Sequence, residues 1–525
     1  MRVLVADPIA DEGVALLRNA GAQVDVRTGL STEDFQACLP EYDALIVRSE
    51  TQVTAEALEA ASHLQVVGRA GVGIDNIDVD AATKRGVLVV NAPTSNIVAA
   101  AEHTMALMLS LARHVPQSNA ALKAGEWARK RFIGTELRGK ALGIIGLGKV
   151  GSEVARRANA FEMRILAHDP FVSQDLAQRL NVELRGLDDL LREADFITVH
   201  VAKIPGAKAL IGAAELAKVK PTLRLVNAAR GGVVDEQALY DAVEEGRVAG
   251  AAVDTFSVEP ALNNILLKSD RIIATPHLGA STEEAQTHVA VEVAEEVLAV
   301  LRGAPARHGI NAPMVLPEAL KVLAPFVDVG RIIGKVATQL AEGQLEGTLI
   351  SYAGEIAGHD TIFLKAAVIQ GLLEPVIEER VNVVNANMIA SQRGMAVAEK
   401  KEPASQIYRS LLTVTLTTAA GETTVAGTSV LGQVHIVGID DYFLDVRAGE
   451  GNMLIIENLD NPGLIGKVGT IAGRNDVNIS FMEVGRLGRR DRAMMAVGLD
   501  EPMPEQAIQE MLTIPGFERI RQVSL

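Results

Sequence analysis

Over the first hundred residues, short apolar runs alternate with helical patterns. RVLVAD, DALIVR, LQVVGRAG and VLVVNAP each read as a buried strand that ends in a polar or glycine-rich turn. Such alternation is the βαβ signature of a parallel sheet covered on both faces. A long helix is expected from about Ser95, with Thr94, Ser95 and Asn96 available as caps. Its nearly continuous apolar character predicts burial all round, as at a domain or subunit interface. A second alternating series begins at Ala141: ALGIIG, RILAHD, DFITVH, RLVNAA, GAAVD and RIIATPH. Six such strands with helices between them complete a dinucleotide-binding sheet. A further helix over Thr282 to Leu301 follows, and RGAPARHGINAP reads as a linker.

Beyond Asn311 the texture changes. TVTLTTAAGETTVAGTSV alternates in period two about a glycine turn, which predicts a β-hairpin inside a mixed α+β domain. The last 75 residues run strand, helix, strand, strand, helix, strand, a ferredoxin-like order. The predicted class is therefore α/β, with two Rossmann-like doubly wound domains, followed by an α+β domain and a ferredoxin-like domain.

A chain of 525 residues is too long for one core, in keeping with three or four domains. A formal net charge of -16 argues against nucleic-acid and membrane-surface partners, which need a basic face. An anionic substrate would then require a local cluster of Arg and Lys. The single cysteine, Cys38, permits no internal disulfide and fits a structural role in a reducing compartment. MRVLVAD reads as a strand and not as a signal peptide, and the apolar stretch Ile97 to Ala112 is too short and too polar to span a bilayer. A cytoplasmic protein is expected, and no motif calls for a metal.

The candidate chemistry starts at GIIGLGKVG, where Gly146, Gly148 and Gly151 follow a strand and open a helix. The first glycine permits the tight turn, the second lets a pyrophosphate approach the backbone, and the third allows close helix–strand packing. Asp169 ends the next strand, where a carboxylate accepts from a ribose 2′-hydroxyl and repels a 2′-phosphate. That favours NAD over NADP, although His168 beside it can soften the repulsion. Arg230 in VNAARGG, Glu259 in DTFSVEP and His277 in TPHLGAST stand at or just after strand ends of the same sheet. A guanidinium clamps a carboxylate at two points, and a carboxylate-held imidazole is a suitable base for a hydroxyl proton. Asp254, also at a strand end, is placed to accept from a nicotinamide amide. Taken singly, these are a surface arginine, a turn acid, a turn histidine and a capping aspartate. Together on one sheet edge they point to alcohol oxidation.

Four long motifs, RAGVGIDNIDVDAATKRGVLVVNAP, GKALGIIGLGKVGSEVARRA, LVNAARGGVVDEQAL and TPHLGAST, occur in order over about the first 310 residues. There the chain resembles the D-isomer-specific 2-hydroxyacid dehydrogenases. The resemblance implies a substrate domain over 1–97 and 283–310, with an NAD-binding domain at 98–282 inserted within it. The catalytic roles fall on Arg230, Glu259 and His277. Cofactor contacts fall on Val72, the Lys149 and Val150 backbone, Asp169, Ala228, Ala229, Asp254, and the turn from His277 through Gly279 to Ala280. In VHVAKIPGAK the sequence departs from the family, and Val201 offers only backbone and apolar contact.

The C-terminal half is similar to that of long members of the family. These carry an intervening regulatory domain, here 311–450, and an ACT domain, here 451–525. The similarity implies oxidation of 3-phosphoglycerate by NAD at the head of L-serine biosynthesis, with a homotetramer and L-serine as an allosteric effector. The substrate phosphate would then meet Arg48, Ser49 and, from the EWARKRF segment of a neighbouring subunit, Arg129. Without the resemblance, that segment with Trp127, Lys130 and Arg131 reads as a solvated charged face. The effector would meet Asp460 and Asn478, with Asn458 where some long members carry an aromatic. Other readings left open are a glyoxylate, hydroxypyruvate or D-lactate enzyme, a non-catalytic NADH sensor, and a 2-oxoglutarate reductase side activity.

Overall fold

The early apolar runs become parallel strands in the computed structural model, which describes residues 1–202, 206–313, 317–405, 407–449 and 451–525. The first sheet comprises β1 (Arg2–Val5), β2 (Gln23–Val26), β3 (Ala44–Val47), β4 (Val66–Arg69) and β5 (Leu88–Asn91), in the order β2-β1-β3-β4-β5. All four pairings are parallel. Along β3, Ala44 and Ile46 join one core and Leu45 and Val47 the other, which is why the strand is apolar throughout. The sequence pattern misses β2, an edge strand whose Gln23 and Asp25 dilute its apolar signal.

The second sheet comprises β6 (Ala141–Ile145), β7 (Arg164–His168), β8 (Glu183–Leu184), β9 (Phe196–Val199), β10 (Arg224–Asn227), β11 (Gly250–Val253) and β12 (Ile272–Ala274). Its order is β12-β11-β10-β9-β6-β7-β8, seven strands where the sequence predicts six. The extra one, β8, is two residues long at the edge, too short to leave a periodic signal. Strand order reverses between β6 and β9, so the crevice for a ligand opens at the carboxyl end of β6.

Helix Ile97–Arg113 leaves the first sheet and packs on the second, against helix Lys149–Ala160 and β10. Within this one chain a stripe of the helix is buried while Val98, Glu102 and Ala106 are exposed, and one expectation about its start is corrected. Thr94 and Ser95 do not cap it, and Asn96 holds the cap position with no side-chain bond. The Thr94 hydroxyl donates instead to Glu292 Oε1 at 2.6 Å, and Ser95 donates to the other carboxylate oxygen. A full charge on the acceptor makes this the stronger use of both hydroxyls.

Glu292 belongs to helix Glu283–Leu301, which returns to the first sheet, packing on helix Asp11–Asn19 and β4. The linker beyond it is pinned. Glu296, 1 % exposed, accepts from the Arg307 amide at 2.8 Å and from its Nε at 2.8 Å. Gly309 bridges Val90 in antiparallel fashion, and the Ile310 amide donates to the Val89 carbonyl at 2.8 Å. Asn311 finishes the seal: its Oδ1 accepts from Val89 N, and its Nδ2 donates to the Val87 carbonyl and Thr83 Oγ1. The linker thus covers the open edge of β5.

The third sheet comprises β13 (Leu345–Gly354), β14 (Ala396–Glu402), β15 (Ser410–Thr418), β16 (Gly421–Val430), β17 (Gln433–Ile439) and β18 (Tyr442–Arg447), in the order β14-β13-β15-β16-β17-β18. β15 and β16 form the antiparallel hairpin read from the sequence. The last sheet comprises β19 (Asn452–Leu459), β20 (Ile479–Arg486), β21 (Arg492–Leu499) and β22 (Phe517–Ser524), in the order β20-β21-β19-β22. Helices Leu464–Arg474 and Glu505–Leu512 complete its βαββαβ order. Met453, Ile455, Met494 and Ala496 of this sheet share a core with the third sheet and its helices. Among the described residues no helix is long and apolar enough to cross a membrane.

Asn311→Ala leaves the buried Val89 amide without its acceptor. The expected loss is about 1–3 kcal/mol of stability, read as a lower midpoint in urea with an unchanged slope.

Candidate active site

Parallel strands end together, so the loops after β6, β10, β11 and β12 share one edge. After β6, Gly146 takes φ +94°, and a Cβ there would lie 2.6 Å from the His200 carbonyl oxygen. A Cβ on Gly151 would collide with the Gly146 carbonyl, whereas one on Gly148 would meet nothing within 4 Å. Only Gly148 faces open space, at the start of helix Lys149–Ala160, whose first N–H groups receive no side-chain cap. That is an anion cradle made of backbone. Val150 packs against the core beneath, and Val201 underlies Gly146 with an apolar branch. Residues 203–205, which follow in the VHVAKIPGAK stretch, lie outside the described residues.

The Asp169 carboxylate, at the end of β7, accepts from Leu147 N at 2.8 Å and Phe171 N at 2.9 Å. It is thereby fixed beside the glycine loop. His168 is occupied elsewhere, its Nδ1 3.1 Å from the Arg185 carbonyl.

After β10, Ala228 and Ala229 lead to Arg230, whose Nη1 donates to the Ala229 carbonyl at 2.8 Å. After β12, His277 takes φ +54° and presents Nδ1 2.9 Å from Glu259 Oε2. Glu259 Oε1 accepts in turn from Phe256 N at 3.0 Å. A carboxylate only accepts, so Nδ1 carries the hydrogen and Nε2 is left with a free lone pair. Both side chains are partly open, 47 % for His277 and 38 % for Glu259.

The pair faces a cleft of about 960 Å³ between the first two sheets, which Arg48, Ser49, Arg69, Val72 and Arg230 also line. Asp7 holds the Arg48 loop by accepting from the Arg48 amide at 2.6 Å, and Asn76 Nδ2 donates to the Arg48 carbonyl at 2.8 Å. Arg69 was not singled out from the sequence, although LQVVGRAG puts it at a strand end like the others. Burial, with the charges of Arg230 and Arg48 adding to it, pushes its guanidinium down to about 10. Its Nε has no partner. Arg129 does not line the cleft in this chain, since it sits on the exposed turn Arg129–Phe132.

Asp254, read from the sequence as a nicotinamide acceptor, directly follows β11. It is wholly buried, and its carboxylate accepts from Thr275 Oγ1 at 2.5 Å, Leu278 N at 2.8 Å and Gly279 N at 2.9 Å. His103 Nε2 lies 3.1 Å from Oδ1. Burial alone would raise its pKa, but the bonds from His103, Thr275 and Leu278 bring it below the ordinary carboxylate value. Its visible work is to order the turn through His277, Gly279 and Ala280.

The two expected effector residues are not brought together. Asp460 follows β19 at the end where Leu459 faces Arg492, and accepts from Arg490 N at 3.0 Å. Asn478 precedes β20 at the end where Ile479 faces Leu499, and donates to Asp500 at 2.6 Å. Asn458 is buried, and its Nδ2 donates to the Leu459 carbonyl.

Residues 105–279 match the D-isomer specific 2-hydroxyacid dehydrogenase, NAD binding domain. Residues 322–440 match the D-3-phosphoglycerate dehydrogenase intervening domain. The D-3-phosphoglycerate dehydrogenase of Archaeoglobus fulgidus is 42% identical over 98% of this chain and 98% of its own length. The chain belongs to the D-3-phosphoglycerate dehydrogenase family. A Synechocystis member of that name is 44% identical over 100% of this chain and 95% of its own. Among solved structures, a glyoxylate reductase from Paecilomyes thermophila is 30% identical with a TM-score of 0.54, over 59% of this chain and 98% of its own.

This member of the D-3-phosphoglycerate dehydrogenase family is an NAD-dependent dehydrogenase, and the open cradle at Gly148 with the fixed Asp169 carboxylate fits that cofactor. Gly148→Val is expected to leave the unfolding midpoint unchanged while weakening NADH binding at least about tenfold, or about 1.4 kcal/mol. Gly151→Val should instead lower the midpoint. Fluorescence titration and thermal unfolding of the two variants check the contrast.

Proposed function

We propose that the chain oxidises 3-phosphoglycerate to 3-phosphohydroxypyruvate with NAD, the reaction that opens L-serine biosynthesis. The observation that carries this reading is the set of three guanidiniums, Arg48, Arg69 and Arg230, lining one cleft with the Glu259–His277 pair. A substrate with a carboxylate at one end and a phosphate at the other matches such a set. Arg230 binds the carboxylate and fixes C2, while Arg48, Ser49 and Arg69 hold the phosphate. His277 Nε2 takes the proton of the C2 hydroxyl, and Glu259 stabilises the imidazolium that forms. NAD, when bound, would supply the hydride acceptor for C2, which together with proton removal at His277 turns the alcohol into a ketone. The cofactor is held by the Gly146–Gly151 loop, Asp169, and the backbone at Ala228, Ala229 and Gly279, with Val72 and Val201 as apolar walls.

NADH formation with 3-phosphoglycerate, and with D-glycerate and D-lactate in parallel, tests the reading, with hydrazine to trap the ketone. Turnover of the phosphorylated acid alone is expected, and preference for the unphosphorylated acids would discard it. His277→Ala should lower kcat by about 10²–10⁴-fold. Arg69→Ala should raise KM for 3-phosphoglycerate and leave NADH affinity alone. Because Arg69 is charged only below about 10, KM should climb as pH rises through that value and not as it falls.

We read the C-terminal βαββαβ unit as an ACT-type regulatory unit for L-serine. Asp460 and Asn478 lie at opposite ends of strands seven residue steps long, on the order of 20 Å apart. A single effector that used both would need two copies of the unit. Trp127 and Ile133, each 78 % exposed, support association of copies through the Arg129 segment, as in a homotetramer. L-serine is expected to inhibit, and Asn478→Ala to abolish the inhibition without altering basal turnover.

A further inference from the structure

We propose that His103 is a positioning residue that acts through Asp254 to hold the turn presenting His277. This rests on the dehydrogenase reading above. His103 lies in the second turn of helix Ile97–Arg113, remote in sequence from the residues it meets. Its Nε2 is 3.1 Å from Asp254 Oδ1 and 3.3 Å from Thr275 Oγ1. The Thr275 hydroxyl has one hydrogen, and it points to Asp254 at 2.5 Å. Asp254 has none to give. The nitrogen facing both oxygens therefore carries the hydrogen, and His103 is the donor.

Asp254 is fully buried, where a carboxylate is tolerated only if its lone pairs are met. Oδ1 takes Thr275 and Leu278 N, with His103 Nε2 3.1 Å away, and Oδ2 takes Gly279 N. Two of these donors are consecutive backbone amides directly after His277. A third backbone bond, His277 N to the Asp254 carbonyl at 2.9 Å, closes the other side of the turn. The rotation of the Asp254 carboxylate therefore sets where the chain leaves His277. That residue stands at φ +54°, a conformation a non-glycine residue keeps only when its surroundings impose it. His103 is the donor that comes from a different element, so it fixes the carboxylate against the helix. Without it, Oδ1 is free to turn toward the turn's own amides and carry His277 away from Glu259.

The test uses the full-length protein with NAD and 3-phosphoglycerate, D-glycerate or D-lactate. Leu and Gln are good helix formers, so His103→Leu and His103→Gln keep the helix. His103→Leu should lower kcat roughly ten- to a hundredfold, the scale of a small misplacement of a catalytic group. KM and the NADH dissociation constant should stay within about threefold. The Gln variant, whose amide NH₂ can stand in for Nε2–H, should recover most of the lost kcat. In His103→Leu/Asp254→Asn the two losses should not add. Three outcomes overturn the proposal alone: His103→Leu retaining kcat within about twofold, a Gln variant as impaired as Leu, or a loss carried by NADH affinity. A wild type that binds NADH but oxidises none of the acids overturns the dehydrogenase reading and this proposal with it.

Discussion

Two sheets can share one cleft only if the chain crosses between them and both crossings are held in place. The Glu292 carboxylate does this. It takes the hydroxyls of Thr94 and Ser95, where the chain first leaves the opening sheet. It lies on the helix by which the chain comes back, and His308 Nε2 of the following linker sits 3.3 Å from it. One side chain thus joins the outgoing segment, the returning helix and the linker. The arginines from β3 and β4 and the Glu259–His277 pair from the second sheet face each other because those crossings are fixed relative to one another. A carboxylate that meets two hydroxyls and an imidazole is well suited to this, since no single partner can leave without exposing a charge that the others must then carry.

The cleft also runs against the electrostatics of the whole chain. The protein carries a formal charge of -16, yet Arg48, Arg69 and Arg230 gather around one space. The depressed pKa of Arg69 records the cost, with burial first and the two neighbouring guanidiniums after it. Asp75 and Asp7 offset only part of it. An arrangement that disfavours its own charge state without a ligand gains most from an anion that neutralises it. The same clustering therefore favours a substrate with two anionic ends over a simple 2-hydroxy acid.

Much of this was legible in the sequence, and for a definite reason. In a parallel sheet, the residue that follows each apolar run lies on the functional edge. Gly146, Asp169, Arg230, Glu259 and His277 could thus be placed without knowing any contact. What the pattern could not give were partners supplied across the fold. Arg69 follows the same rule but looked like part of a glycine-rich turn. His103 sits inside an apolar helix, where its meeting with Asp254 depends on how that helix lies on the second sheet. Asn311 reads as linker and serves as the seal of an edge strand. The resemblance pairs Asp460 with Asn478, and the strand register separates them within one chain, because short turn segments hold no information about which end of a sheet they occupy.

The register of the first sheet also limits how the C-terminal half can act on the cleft. Arg380 Nη1 donates to the Leu64 carbonyl at 2.9 Å and Asn382 Nδ2 to the Gly86 carbonyl at 2.6 Å. Leu64 and Gly86 precede β4 and β5, so both bonds are made at the amino ends of these strands. Arg69 is at the carboxyl end of β4, five residues on from Leu64, about 16 Å along the strand. β4 is hydrogen-bonded on both sides, to β3 and β5, and Val66 and Val67 are fully buried. A strand so enclosed does not stretch or slide by itself. The 380–385 loop therefore bears on the first sheet at the amino ends of its strands, away from Arg48 and Arg69 at the carboxyl ends. Those two guanidiniums stand on one sheet, while Arg230 stands on the other with the Glu259–His277 pair.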